Sequence, residues 1–255
     1  MESTNFEEYD DPNLYDRENE KYKMDIPFLL KWAKKTTGPI IDLACGTGRA
    51  TIPLALEGFE LIGVDVYRAM LEKAKQKSKT LPVHIDWVEQ DCTKLDLRLS
   101  SNFIYSVGNS FQHFLTNEAQ DAFLTSVNNH LQTGGIFIFG TRFPSMDELF
   151  VSGKEEYWRS DTDDVTKNKI DIYMKSEYDP FTQVQHNITI RKWINKFGEV
   201  VDEKRTNIRL RFVFPQEMER ILEGNGFEIL HVYADWKESP VQQNSNELIY
   251  VCKKK

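Results

Sequence analysis

The sequence predicts an α/β fold, a doubly wound, mostly parallel sheet carrying a small antiparallel β insertion, and three observations carry that reading. A short apolar run, Ile40-Ile41-Asp42-Leu43, turns over Gly46 and Gly48 into helix-periodic residues from Ala50 through Leu56, the pattern of a buried strand feeding a helix. Further apolar runs that end in an acid follow at residues 59–65 and 83–91. From residue 170 to 214 the pattern changes to period-two alternation, as in Ile170, Ile172 and Met174 or Ile208, Leu210, Phe212 and Phe214, which reads as antiparallel strands.

A chain of 255 residues is long enough to bury a full core, as one large domain with an insertion or as two smaller ones. Its formal charge of -8 argues against a protein that clamps nucleic acid through phosphates, which takes clustered Lys and Arg. Cys45, Cys92 and Cys252 share no metal-ligand spacing and read as reduced thiols, so a cytoplasmic location is expected. No apolar run reaches membrane-spanning length, and the N-terminus is acidic where a signal peptide is basic.

In chain order, residues 1–20 are polar and read as a mobile arm. Residues 24–34 place Ile26, Leu29, Leu30 and Ala33 at helical spacing before the first strand. The glycine turn then lets a ligand approach the backbone, with amides at the helix start available to it. A dinucleotide fingerprint wants a third glycine at position 51, where this chain has Thr, and Asp42 ahead of the loop is a poor neighbour for pyrophosphate. The carboxylate suits a ligand bearing an ammonium and a sulfonium. The run Asp42-x-Ala44-Cys45-Gly46-x-Gly48 resembles the first motif of the class I S-adenosylmethionine-dependent methyltransferases; the alternative is the tight turn of any α/β protein.

That resemblance implies a Rossmann-like seven-stranded sheet, mostly parallel with the last strand antiparallel, and S-adenosylmethionine as cofactor. It assigns Asp42, Ala44, Gly46 and Gly48 to the cofactor cradle. Asp65 lies about 20 residues past the first glycine, the spacing of a ribose-binding carboxylate, and in the family the next residue, here Val66, packs on adenine. The alternative for Asp65 is a helix cap. Asp91 and Cys92 fall on the family's adenine-recognition turn, with a surface turn as the alternative. Val107 ends the fourth strand, residues 102–107, within the same binding edge. Tyr15 is a candidate cofactor contact because relatives close a Tyr-bearing N-terminal segment over the site; otherwise it anchors the arm.

The following Asn109-Ser110-Phe111-Gln112-His113 run resembles one in relatives whose His lies near the acceptor. His113 is the candidate catalytic base, and the alternative is a His that fixes the turn. Acidic ligands of the family's metal-dependent branch are absent from this turn, so no metal is implied. Residues 116–131 form a capped helix stopped by Gly134-Gly135, residues 136–139 a fifth strand, and 144–168 a polar connection. Three antiparallel strands are expected next, giving domains of 1–142 with 215–255 and an inserted lid or acceptor-binding subdomain of 143–214. Tyr173, Arg191, Trp193, Arg209 and Arg211 face either a pocket or solvent. A dimerisation surface is the rival role for the insertion, and the chain is expected as a monomer or homodimer. Residues 215–226 form a helix, and two strands close the sheet.

The expected activity is methyl transfer to the N or O of a small-molecule acceptor by in-line displacement, with no nucleic acid and no membrane involved. The rivals are a nicotinamide-dependent oxidoreductase and a non-catalytic S-adenosylmethionine-binding regulator. An RNA or protein methyltransferase is disfavoured by the acidity.

Overall fold

The expected apolar runs form strands β1 (Ile40–Leu43), β2 (Leu61–Asp65), β3 (Ile85–Glu89) and β4 (Ser101–Ser106) in the computed structural model, which describes residues 5–150, 153–163 and 166–255. Helices α3 (Thr51–Leu56), α4 (Arg68–Ser78) and α5 (Asn117–His130) connect them, and α2 (Ile26–Ala33) precedes β1. With β5 (Leu131–Arg142), β10 (Phe227–Tyr233) and β11 (Glu247–Lys254) they make a seven-stranded sheet in the order β10-β11-β5-β4-β1-β2-β3. All pairs from β5 to β3 are parallel, and β11 runs antiparallel to both β5 and β10.

β1 and β2 are buried at every position, as strands covered on both faces must be, which is why they read as unbroken apolar runs. Alternate residues sort into two cores: Ile41, Ile104, Phe137 and Phe139 pack with Phe111, Phe123 and Tyr250, whereas Ile40, Phe103, Tyr105 and Ile138 pack with Phe28, Leu54 and Trp236. Successive side chains point to opposite faces of a strand, so the two clusters are the two faces of one sheet. The order reverses between β4 and β1, and ligands of open α/β sheets bind outside the carboxyl ends of the strands at that switch point.

Three expectations need correction. Residues 11–19 are not a mobile arm: Asp11 caps α1 (Pro12–Asn19), accepting from the Asn13 and Leu14 amides at 3.0 and 3.1 Å, and Pro12 supplies the preset φ of a first helical residue. The opening four residues of the expected arm lie outside the described residues. Gly134-Gly135 is not a gap between helix and strand, because β5 starts at Leu131, paired with Ser101, and absorbs the glycines as a register shift. The polar connection holds the short helix α6 (Met146–Leu149) and a further strand, β6 (Glu156–Thr162), whose exposed face hid it from a hydrophobic-pattern reading.

The second compact unit comprises residues 144–212 together with the N-terminal residues up to Asp10. Its sheet has four strands where three were expected, in the order β6, β7 (Lys169–Asp179), β8 (Val184–Ile194) and β9 (Val200–Arg211), all antiparallel. Residues 5–10 pack with this unit: Glu7 accepts from the Asn207 amide at 2.9 Å, and Glu8 meets Arg191 at 3.0 Å and the Thr206 hydroxyl at 2.6 Å. Arg191 is 3% exposed and bound by Glu8 and Thr206, so it faces neither solvent nor an open pocket. Trp193 donates to Asp163 at 3.2 Å. In the first unit α7 (Pro215–Gly224) packs Met218 and Leu222 into the core between the inserted segment and the closing strands.

Gly63 sits at the middle of β2 because Trp87 of β3 lies over it: a Cβ there would come within 2.5 Å of the indole Cζ3 and 3.1 Å of the Cys45 sulfur. Gly63→Ala is expected to cost about 1–3 kcal/mol by overpacking, and Gly63→Ala with Trp87→Leu to recover most of it. Urea unfolding of the single and double variants measures both.

Candidate active site

The turn after β1 is strained and held by specific bonds. Ala44 has φ 55° and Gly46 φ 57°, and the left-handed region costs a residue with a Cβ roughly 1–2 kcal/mol. The Cys45 amide donates to the Val64 carbonyl at 3.0 Å. The Gly46 amide donates to Asp65 Oδ2 at 2.8 Å, and Asp65 Oδ1 accepts from the Tyr67 amide at 2.8 Å. One carboxylate thus ties the loop after β1 to the turn after β2. Burial pushes the Asp65 carboxyl up from its ordinary value, opposed by the amides of Tyr67, Gly46 and Val66. Asp65 is 8% exposed, and an ionised carboxylate has about four acceptor positions, so acceptor capacity remains beyond the amides of Gly46, Val66 and Tyr67.

Asp42 behaves differently from expectation. It is 0% exposed, and its Oδ2 accepts from the Thr51 hydroxyl at 2.6 Å. The Thr that stands at the third-glycine position is therefore its partner, and the pair fastens the first turn of α3 to β1. Where direct contact with a ligand's ammonium was expected of Asp42, the structure has the carboxylate enclosed by the protein. Desolvation raises its carboxyl from 3.8 to about 7, with the Thr51 hydroxyl opposing.

The other predicted positions gather on the same rim. β1, β2 and β3 are parallel neighbours, with Asp42 in register with Gly63 and Asp65 with Glu89, so their carboxyl-terminal turns share one edge. Asp91 is exposed there and accepts from the Thr93 amide and hydroxyl at 2.9 and 2.8 Å. Cys92 is buried, its thiol held up at about 12 by burial and set against the Ala44 backbone. Val66 is 46% exposed, as a surface for a flat ring requires, and Val107 is buried at the end of β4. Beyond it Gly108 and Asn109 both have positive φ, 73° and 60°, so the two central strands both end in left-handed backbone. Such strain concentrates at functional sites.

The segment 11–25 is fastened onto the glycine loop. Asp16 of α1 is buried, accepts from the Thr47 hydroxyl and meets Lys77 of α4 at 3.2 Å. Arg49 donates to Asp25 at 2.9 Å and to the Tyr22 carbonyl at 2.8 Å. Tyr15 projects from this helix with its phenol pushed up by burial, within electrostatic reach of Arg49 and Asp65.

A cleft of about 460 Å³ opens at this end of the sheet, lined by Tyr15, Glu18 and Tyr22, by Arg49, by Gly108 and Asn109 after β4, by Arg142 at the end of β5, and by Trp236, Asn246 and Glu247. Its size suits a small molecule. His113 sits in the 3₁₀ turn after Asn109 and is not among the residues lining this cleft. Burial lowers it to about 4, which keeps the imidazole neutral but mismatches it to proton transfer near neutrality. Glu18, Tyr22, Arg49, Arg142, Trp236 and Glu247 were not singled out as site residues from the sequence. For Arg142 and Glu247 the signal is the pairing of β11 with β5, which sets the two opposite each other across the whole inserted segment, whereas Tyr22 and Arg49 meet through the fastening of the N-terminal segment onto the glycine loop.

The donor set fits an adenosyl ligand with an amino-acid tail: a carboxylate for a diol at Asp65, a second at Asp91, an apolar surface at Val66, and left-handed backbone at Ala44, Gly46 and Gly48. Among the described residues no helix is long and apolar enough to cross a membrane.

Residues 40–135 match the family described as a methyltransferase domain. A glycine/sarcosine N-methyltransferase from Aphanothece halophytica is 26% identical over 222 residues, 84% of this chain and 76% of that protein. A solved S-adenosylmethionine-dependent methyltransferase from Clostridium acetobutylicum superposes with a TM-score of 0.78 at 20% identity, covering 94% of this chain and 96% of its own. An amino pentose methyltransferase from Micromonospora echinaspora, solved with S-adenosylmethionine bound, gives 0.72 at 15% identity over 97% and 98%.

Because Asp42 titrates higher folded than unfolded, its burial destabilises the fold progressively as pH rises from about 4 to about 7 and no further above that. Asp42→Asn is therefore expected to gain stability relative to the parent chain on going from pH 5 to pH 8, by about 3 kcal/mol. Denaturant unfolding at the two pH values reads the difference.

Proposed function

We propose that this chain is an S-adenosylmethionine-dependent class I methyltransferase, as the methyltransferase-domain match over residues 40–135 supports, and that it methylates a nitrogen of a small-molecule amine. When bound, S-adenosylmethionine supplies a methyl carbon activated by a sulfonium. Asp65 is assigned to the ribose hydroxyls, Asp91 and the Cys92 amide to the adenine edge, Val66 to its face, and the loop from Ala44 to Gly48, with Val107, to the remainder. Tyr15, carried on a helix that Asp16 anchors to Thr47, is assigned to close the assembly. Most of the acceleration then comes from alignment, since well-oriented reactants account for about 7–11 kcal/mol of barrier.

The acceptor class rests on the cleft. Glu18 and Glu247 stand among the rings of Tyr15, Tyr22 and Trp236, and carboxylates with aromatic faces are what a cationic nitrogen prefers. The names of two similar proteins agree in kind, one acting on glycine and sarcosine and one on an amino pentose. The place of the inserted sheet in the chain, after the strand that ends at Arg142, supports assigning it to acceptor binding.

Release of S-adenosylhomocysteine from a panel of amino acids and amino sugars, each beside its hydroxyl analogue, tests the reading. Faster release with the amines is expected, and faster release with the hydroxyl compounds contradicts it. Asp65→Asn is expected to weaken S-adenosylmethionine binding by roughly 1.5–3 kcal/mol per charge-assisted bond lost. Calorimetry measures it, and an unchanged affinity removes Asp65 from the site.

A further inference from the structure

The start of β11 carries a carboxylate with no structural task commensurate with its burial. Glu247 is half-buried at the wall of the cleft, and its only direct hydrogen bond among those described runs from the Trp236 indole Nε1 at 3.2 Å. Room for this pair is made by Gly140 on the neighbouring strand: a Cβ there would lie 3.0 Å from the Trp236 ring and 3.4 Å from Glu247 Oε1. The indole bond engages one carboxylate oxygen, Oε1, of a residue that itself lines the cleft. Arg142 stands opposite in the β5–β11 register, and the Tyr22 ring is within electrostatic reach.

We propose that Glu247 is the residue that receives the acceptor's ammonium group and takes its proton, which makes it the general base of the reaction. The inference rests on the amine reading above and names the residue that serves it. An alkylammonium R–NH₃⁺ hands one proton to the Glu247 carboxylate, giving neutral R–NH₂ and a carboxylic acid. The freed nitrogen lone pair forms the N–CH₃ bond as the S–CH₃ bond breaks, and that bonding pair stays on sulfur as a neutral thioether. The product leaves as R–NH₂⁺–CH₃, and the Glu247 acid returns its proton to water.

Electrostatics at the site match that task. Burial raises Glu247 from 4.5 to about 7, the Trp236 bond opposes the rise, and the carboxylates of Asp25 and Asp235 add to it. Both acids lie on other elements, before α2 and after β10, and Asp25 is itself paired with Arg49. A base poised near neutrality is ionised often enough to accept a proton and basic enough to take one from an ammonium held against it. His113, near 4, is not.

The test compares the parent chain with Glu247→Gln, which keeps the side-chain shape and the acceptor for the Trp236 indole, and with Glu247→Asp. For the best amine of the panel, kcat/KM of the parent is expected to rise with pH through a limb near 7. Glu247→Gln is expected to lose 10²–10⁴-fold, the range of general-base catalysis, together with that limb, while its calorimetric affinity for S-adenosylmethionine stays within twofold. Glu247→Asp is expected to restore part of the rate. Retention of both rate and limb in Glu247→Gln overturns the proposal while leaving the amine reading intact. A second readout needs no turnover: tryptophan fluorescence titrated with ethylammonium chloride, with potassium chloride as ionic control, is expected to respond in the parent and not in Glu247→Gln. An equal response in both, or none in the parent, overturns Glu247 as the ammonium site even where no amine is methylated. Ethylammonium binding without amine turnover instead overturns the amine reading and the base role together.

Discussion

Everything at the ligand edge depends on one carboxylate shared between two turns. Asp65 takes the Gly46 amide on one oxygen and the Tyr67 amide on the other, so the loop after β1 cannot move independently of the turn after β2. The loop needs such a restraint because Ala44 sits in left-handed backbone that an ordinary residue avoids. Hydrogen bonds to a charged acceptor contribute more than neutral ones, and the strain is offset where they are made. The cradle is consequently formed before any ligand arrives, which lowers the ordering cost of binding.

A second layer of ion pairs extends this restraint to the N-terminal segment. Asp16 reaches Thr47 and Lys77, and Asp25 reaches Arg49, so two residues of the glycine loop act as hooks for the chain that precedes β1. That anchoring brings Tyr15, Glu18 and Tyr22 to the cleft, where strands β4, β5 and β11 supply the opposite wall. The wall is polar and aromatic at once, with acidic and basic groups in close range, as a site selective for a small charged molecule needs.

How much of this could be read from the residues divides along a physical line. β1 and β2 were legible because both of their faces are buried, and the end of β2 at Asp65 was legible because the apolar run stops there at an acid. Thr116, expected to cap α5, does accept from the Ala119 amide at 3.2 Å. β6 was not legible, since an exposed strand shows no alternation of apolar residues. The bond from Thr51 to Asp42 was not legible, because a buried carboxylate bound to a neighbouring hydroxyl and one aimed at a ligand have the same local sequence. Glu247 and Trp236 were not visible as site residues because what brings them to the cleft is the long-range register of β11 on β5.

The account stands on the claim that the carboxyl ends of β1, β2 and β3 form one binding edge for an adenosyl ligand joined to an amino-acid tail and not for a dinucleotide. Parallel calorimetric titrations with S-adenosylmethionine and NADH address it directly. A single saturable site for the sulfonium ligand with no heat from NADH is the expected result. Tight NADH binding in the absence of any response to S-adenosylmethionine would contradict the account at its base.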